Sequence, residues 1–136
     1  MTIVTDRGFQ DDDWVLGFAP ADQLPANDAE CGVDLSSDAD PEALRAYLDK
    51  IPLIRVDFPS FADGRGFTIA RVLRDLGYTG RLRAKGHVIA DQYAMARRSG
   101  FDEVEIDDAL AARQPENQWL RRADWRAHSY QNRLRA

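Results

Sequence analysis

A chain of 136 residues, 44% hydrophobic and 30% charged, has the size and composition of one soluble globular domain. Its net charge of −5 disfavours non-specific nucleic-acid binding, and no apolar run approaches the roughly 20 residues of a membrane span. Cys31 is the one cysteine, which excludes an intrachain disulfide, and the start Met1 to Asp6 lacks a basic and apolar leader, so a reducing, cytoplasmic setting is expected.

The charge is unevenly spread. Residues 1–50 carry twelve acids and three bases, a net −9, whereas residues 51–136 carry eleven acids and fifteen bases, a net +4. Residues 1–31 read as an acidic arm containing Asp11-Asp12-Asp13. Its apolar island, Trp14 to Ala19, is expected to dock as an edge strand or a plug, and Pro20 and Pro25 mark loop. Residues 32–136 read as a single α/β domain. Val33 to Leu35 suits a short strand. Asp40-Pro41-Glu42 is a helix start, with Asp as the cap, Pro at the first helical position and an acid in the first turn. Leu44, Leu48 and Tyr47 give that helix an apolar face.

Pro52 to Val56 is the next strand. Ile69, Val72, Leu73 and Leu76 then form a helical stripe that Gly77 terminates. Arg81 to Lys85 alternates charged and apolar residues, as a strand does. Val88 to Ser99 reads as a helix ended by Gly100, and Phe101 to Ile106 as another alternating strand. Asp107 or Asp108 caps a short helix, and a last helix is expected over residues 115–134. Its stripe is Leu120, Ala123, Ala127, Tyr130 and Leu134, with Trp119, Arg122, Trp125 and Arg126 as a candidate interface for a partner or a second copy. Its arginines are also expected to pair with the acidic arm, within one chain or across a homodimer.

Strands starting near residues 33, 52, 81 and 102 and separated by helices predict a small, mostly parallel sheet of three to four strands with right-handed crossovers. Both a doubly wound sheet and half of a (β/α)8 barrel fit. The alternation around Arg81 and Glu103 suggests edge positions or an open barrel.

Chemistry is expected where strands end and helices begin. Asp57 is read either as a general base or ligand acceptor, or as a cap of the following turn. Asp63, Gly64, Arg65 and Gly66 open a helix and suit a small anion; equally, Arg65 pairs with Asp57 or Asp63 and the glycines serve the turn. Lys85 and His87 end the next strand, with Asp91 and Gln92 one turn later. His87 is either a proton shuttle or a surface residue. No metal-ligand set and no cofactor fingerprint is present, so neither a metal nor a cofactor is expected.

The run Leu53 to Phe67, with Leu76-Gly77-Tyr78-Thr79-Gly80 and Gly86-His87-Val88-Ile89-Ala90-Asp91-Gln92, resembles a bacterial domain-of-unknown-function family whose genes lie beside assimilatory sulfite reductase. The resemblance covers roughly residues 35–108 and leaves out the arm and the last helix. His87 departs from the family pattern, which has Asp between that Gly and Val. The resemblance implies a link to sulfate assimilation and sulfite reduction and assigns no catalytic residue. The first reading is an accessory protein that binds sulfite reductase through its C-terminal helix and a small anion at the Asp57–Gly66 turn. Two alternatives stand beside it. One is a small enzyme acting on an anionic substrate through Asp57, Arg65, Lys85 and His87. The other is a dimeric scaffold without a ligand.

Overall fold

The structure, a computed structural model, describes residues 1–21 and 31–126. Pro25, Ala127, Tyr130 and Leu134 lie outside the described residues. Seven strands form one sheet: β1 (Thr2–Thr5), β2 (Gly8–Gln10), β3 (Phe18–Pro20), β4 (Gly32–Leu35), β5 (Leu53–Phe58), β6 (Arg81–Gly86) and β7 (Glu103–Ile106). Their order is β2-β1-β7-β6-β5-β4-β3. β3 to β7 are parallel, while β1 runs antiparallel to both β7 and β2. The expected three to four strands become seven because the acidic arm supplies three. Only the end of the apolar island docks: Phe18 and Ala19, with Pro20, form the edge strand β3, so Pro20 lies in a strand and not in a loop, while Val15 and Leu16 stay exposed. The β-branched run Thr2-Ile3-Val4-Thr5 begins a hairpin. Among the described strands the parallel order never reverses, so the switch point of a doubly wound sheet is missing.

The helices are α1 (Arg65–Asp75), α2 (Tyr93–Ser99), α3 (Asp108–Arg113) and α4 (Glu116–Leu120). Asp40 caps a helix as expected, accepting from the Glu42 N–H, but the ten residues Pro41–Lys50 wind as a 3-10 helix. Its Leu44 and Leu48 are buried. Gly77 ends α1 at φ +99, where the Tyr78 N–H reaches back to Leu73 and that of Gly77 to Arg74. A 3-10 turn at Ala90–Gln92 precedes α2, which starts later than the pattern predicts. The Pro41–Lys50 helix and α2 both pack against α1. Right-handed crossovers that all step the same way place their helices on one face of the sheet.

That face carries the core. Val33, Leu35, Ile54, Val56, Phe58, Leu82, Ala84, Val104 and Ile106 meet Phe67, Ile69, Leu73, Tyr93 and Ala96. The alternate strand positions carry Asp34, Arg55, Asp57, Arg81, Arg83, Lys85, Glu103 and Glu105 on the opposite face. β6 lies at the centre of the sheet, not at an edge. Arg83 is 0% exposed, Glu103 4% and Glu105 3%, so strand alternation here marks burial of paired charge. Among the described residues, no helix is long and apolar enough to cross a membrane.

The C-terminal segment departs most from expectation. α4 ends at Leu120, and the chain turns over residues 121–126. Trp119 explains the break. It is 1% exposed, lies edge-on to Tyr93 and donates its indole N–H to the Gln114 carbonyl. Trp125 then folds back onto α2 and the hairpin.

Candidate functional site

β4, β5 and β6 end side by side, and their last residues on the charged face enclose a cavity of about 210 Å³ lined by Asp34, Leu35, Ser36, Arg55, Asp57 and Lys85. Deeper on that face every arginine is committed. Arg55 donates Nε and Nη2 to Asp34 at 2.6 and 2.9 Å and Nη1 to Glu105 at 3.2 Å, and its guanidinium lies 3.6 Å over the Phe18 ring. Burial works against the Arg55 charge, but Asp34 and then Glu105 outweigh it and hold the guanidinium protonated. Arg83 donates to Glu103 at 2.6 Å and Glu105 at 2.8 Å, and Arg81 to Glu103 at 2.6 Å.

Asp57 and Lys85 break this pattern. They are direct partners across β5 and β6. Among the described residues, neither side chain has a hydrogen bond or an ion pair. An unpaired carboxylate and an unpaired ammonium thus share one cavity wall. The backbone comes close here: Gly86 adopts φ +111, and a Cβ on it would lie 2.8 Å from the Phe58 carbonyl oxygen and 3.7 Å from Asp57 Oδ1.

Arg65 is placed differently. It pairs with Asp63 rather than Asp57, donating Nε at 3.0 Å and Nη2 at 2.8 Å, and it reaches Ser37 Oγ with Nη2 at 2.9 Å. The Arg65 backbone N–H also donates to Asp63 Oδ1, at 3.1 Å. The Asp63 carboxylate therefore occupies the anion position that the start of α1 creates. Arg65, through its side chain and its N–H, holds the Asp63 carboxyl far below the usual carboxylate range. Gly66 has a packing reason, since a Cβ there would lie 2.4 Å from the Phe58 ring.

His87 is exposed and lies edge-on to Phe61, with ring centroids 5.1 Å apart. Its Nδ1 faces the Phe58 carbonyl at 3.2 Å. A carbonyl only accepts, so Nδ1 carries the proton there, and a neutral ring keeps Nε2 as an acceptor. Gln92 supports the same turn by donating to the Phe61 carbonyl. Asp91 does not join Asp57; it pairs with Arg122 at 2.8 Å.

The C-terminal candidates fall into two places. Trp119 is internal to the domain. The guanidinium groups of Arg97 and Arg126 each lie 4.8 Å from the Trp125 ring, whose indole N–H donates to Asp6. Arg97 and Tyr93 also donate to Asp6, so arm and C-terminal segment meet within one chain. Sequence reading missed Asp34, Ser36 and Arg55 as site walls. The signal in the sequence was charge at alternate positions on β4 to β7; the registers that align those charges in rows come from the strand pairing.

A comparison against curated proteins finds no match. The DUF934 family, described as a bacterial protein of unknown function, matches residues 32–136. The match is wider than the resemblance over residues 35–108. It takes in the C-terminal segment and leaves out the arm that supplies β1 to β3. With 105 of 136 residues inside that match, the chain belongs to the DUF934 family of bacterial proteins of unknown function.

Proposed function

We propose that the carboxyl ends of β4, β5 and β6 bind a small anion that carries a hydrogen-bond donor beside its charge. One observation carries this reading: on a face where the arginines are all paired, Asp57 and Lys85 stand next to each other without partners and line a cavity. Lys85 supplies the counter-charge, and Asp57 accepts from the ligand's hydroxyl or acid proton. Hydrogen sulfite is an anion of this kind, in keeping with the link to sulfite reduction that the family resemblance implies. The anion site moves from the Arg65 turn to Lys85, because Asp63 already fills the turn.

Titration with acetate, glycolate and hydrogen sulfite, followed by the amide shifts of Lys85 and Gly86, tests the reading. Lys85→Met should weaken all three by about tenfold or more, the worth of one charge-assisted contact. Asp57→Asn should weaken glycolate and hydrogen sulfite while sparing acetate. Unchanged shifts at both residues with every anion would sink the proposal.

A second reading, a small enzyme, draws on the same pair. Asp57 would take a proton from the substrate that Lys85 holds, and His87 Nε2 would relay it. Turnover of a bound anion that Asp57→Asn abolishes without loss of binding separates this from binding alone. Co-purification of the tagged protein with sulfite reductase tests the partner. Sedimentation of Trp125→Ala tests the homodimer, which predicts a fall in mass.

A further inference from the structure

β2 and β3 are the two opposite edges of the sheet, yet only residues 11–17 join them. This segment crosses the charged face as a strap. Asp13 Oδ1 meets Arg81 Nη2 at 2.6 Å, and Asp12 accepts from Arg83 Nη1 and Nη2 at 3.3 and 3.1 Å. The strap is inside out for a surface loop. Its ionic side faces the sheet, while Val15 is 86% and Leu16 50% exposed.

Counting charge shows what the strap adds. Without it, Arg55, Arg81 and Arg83 face Asp34, Glu103 and Glu105, three against three, joined by the contacts already given. Asp12 and Asp13 bring that cluster to three against five. The sheet's own acids already neutralise its arginines, so the strap carboxylates are surplus. On β6 the cations form one row, Arg81, Arg83 and Lys85, two residues apart on the same face. Strap carboxylates contact the first two; the third has no partner among the described residues.

We infer that Asp12 is a tethered stand-in for a second anionic group of the ligand, so that the full ligand is larger than hydrogen sulfite: a dianion bridging Lys85 and Arg83. This rests on the proposed site at Lys85. Residues two apart on a strand are separated by about 6.6 Å, a span that a flexible dicarboxylate meets from between the two cations. The ligand displaces Asp12, and Arg83 keeps Glu103 and Glu105 throughout, so no buried charge is stranded.

The test compares acetate with glutarate on the full chain, for the parent and for Asp12→Asn/Asp13→Asn. Removing the competing carboxylates should raise glutarate affinity by about tenfold, one charge-assisted contact, and leave acetate unchanged. In the parent, saturating glutarate should also speed chymotryptic cleavage between Trp14 and Phe18, since the strap lifts. Equal glutarate affinity in parent and variant, or slower cleavage, overturns the inference. Loss of acetate binding in Lys85→Met alongside that result would leave the site at Lys85 standing and remove only the strap's part in it. A thermal melt of the double variant within a few degrees of the parent shows that it is folded.

Discussion

At the scale of residues, the proposed site depends on one close backbone approach. Gly86 holds φ +111 with its missing Cβ directed at the Phe58 carbonyl. A side chain there is strained twice, by the left-handed backbone and by a Cβ 2.8 Å from that oxygen. Gly86→Ala should cost about 1–3 kcal/mol, read as a lower urea midpoint, and should disturb the proposed anion binding at Lys85 beyond its effect on stability. Gly66 under Phe58 was legible as a turn glycine but not as a contact, and Gly86 only as part of the run that carries the family resemblance. Their partner atoms lie eight or more residues away along the chain, and sequence spacing says nothing about such meetings.

At the scale of elements, the C-terminal segment separates packing from display. A long amphipathic helix was the natural reading of residues 115–134, with both tryptophans off its apolar stripe. Burial of Trp119 against Tyr93 wins over continuing the helix, and the chain breaks after Leu120. Trp119→Ala should therefore cost about 3–5 kcal/mol in chemical denaturation, the range for truncating a buried tryptophan. Trp125→Ala loses one indole hydrogen bond and cation–π stacking, and should cost about 1 kcal/mol. Equal losses for the two would contradict the placement of Trp119 in the core.

The acidic elements give a pH dependence. In Asp63 and Asp13 the carboxyls are held low, by Arg65 and Arg81 respectively. In Asp12, burial opposes the shift, but the Trp14 N–H and then Arg83 outweigh it. In Asp6, the Arg97, Tyr93 and Trp125 contacts likewise outweigh burial. A folded pKa below the unfolded value, near 3.9, means that the unfolded chain binds more protons as pH falls. The stability these groups contribute is full above about pH 4 and drains away below it. Urea midpoints should hold between pH 7 and 5 and fall between pH 4 and 2. Asp12→Asn should reduce that fall.

For the whole molecule, the length of the strap constrains the sheet. Seven strands laid flat at about 4.8 Å spacing put β2 and β3 about 29 Å apart. Eight residue steps from Gln10 to Phe18 reach about 26–29 Å only when fully extended. The strap is not extended, because Trp14 turns back, with its N–H on Asp12 and its indole N–H on the Gly17 carbonyl. The sheet must therefore curl toward its charged face, and the strap closes over the curl. Arg83 is central to this arrangement. Arg83→Met would leave Glu103 and Glu105 buried with one cation fewer, and should cost about 3–5 kcal/mol. Arg83→Met/Glu103→Gln should recover part of that loss in the same denaturation assay, since one stranded carboxylate is then neutral.

The sequence by itself determined what is local. The Asp40 cap, the Gly77 and Gly100 stops, the α1 stripe and the strands β4 to β7 follow from backbone chemistry and side-chain period within a few residues. It also marked the strand end at Asp57 and Lys85 as the place for a site. Only the tertiary structure decided which charges meet. Asp12 finds Arg83 across 71 residues, Arg55 finds Glu105 across 50, and Arg65 turns to Asp63 two residues away instead of Asp57. Any of the sixteen arginines suits any nearby acid, since Coulomb attraction carries no address. The strand order and the strap create the address, and they leave Asp57 and Lys85 as the adjacent pair that the sheet's own charges do not satisfy.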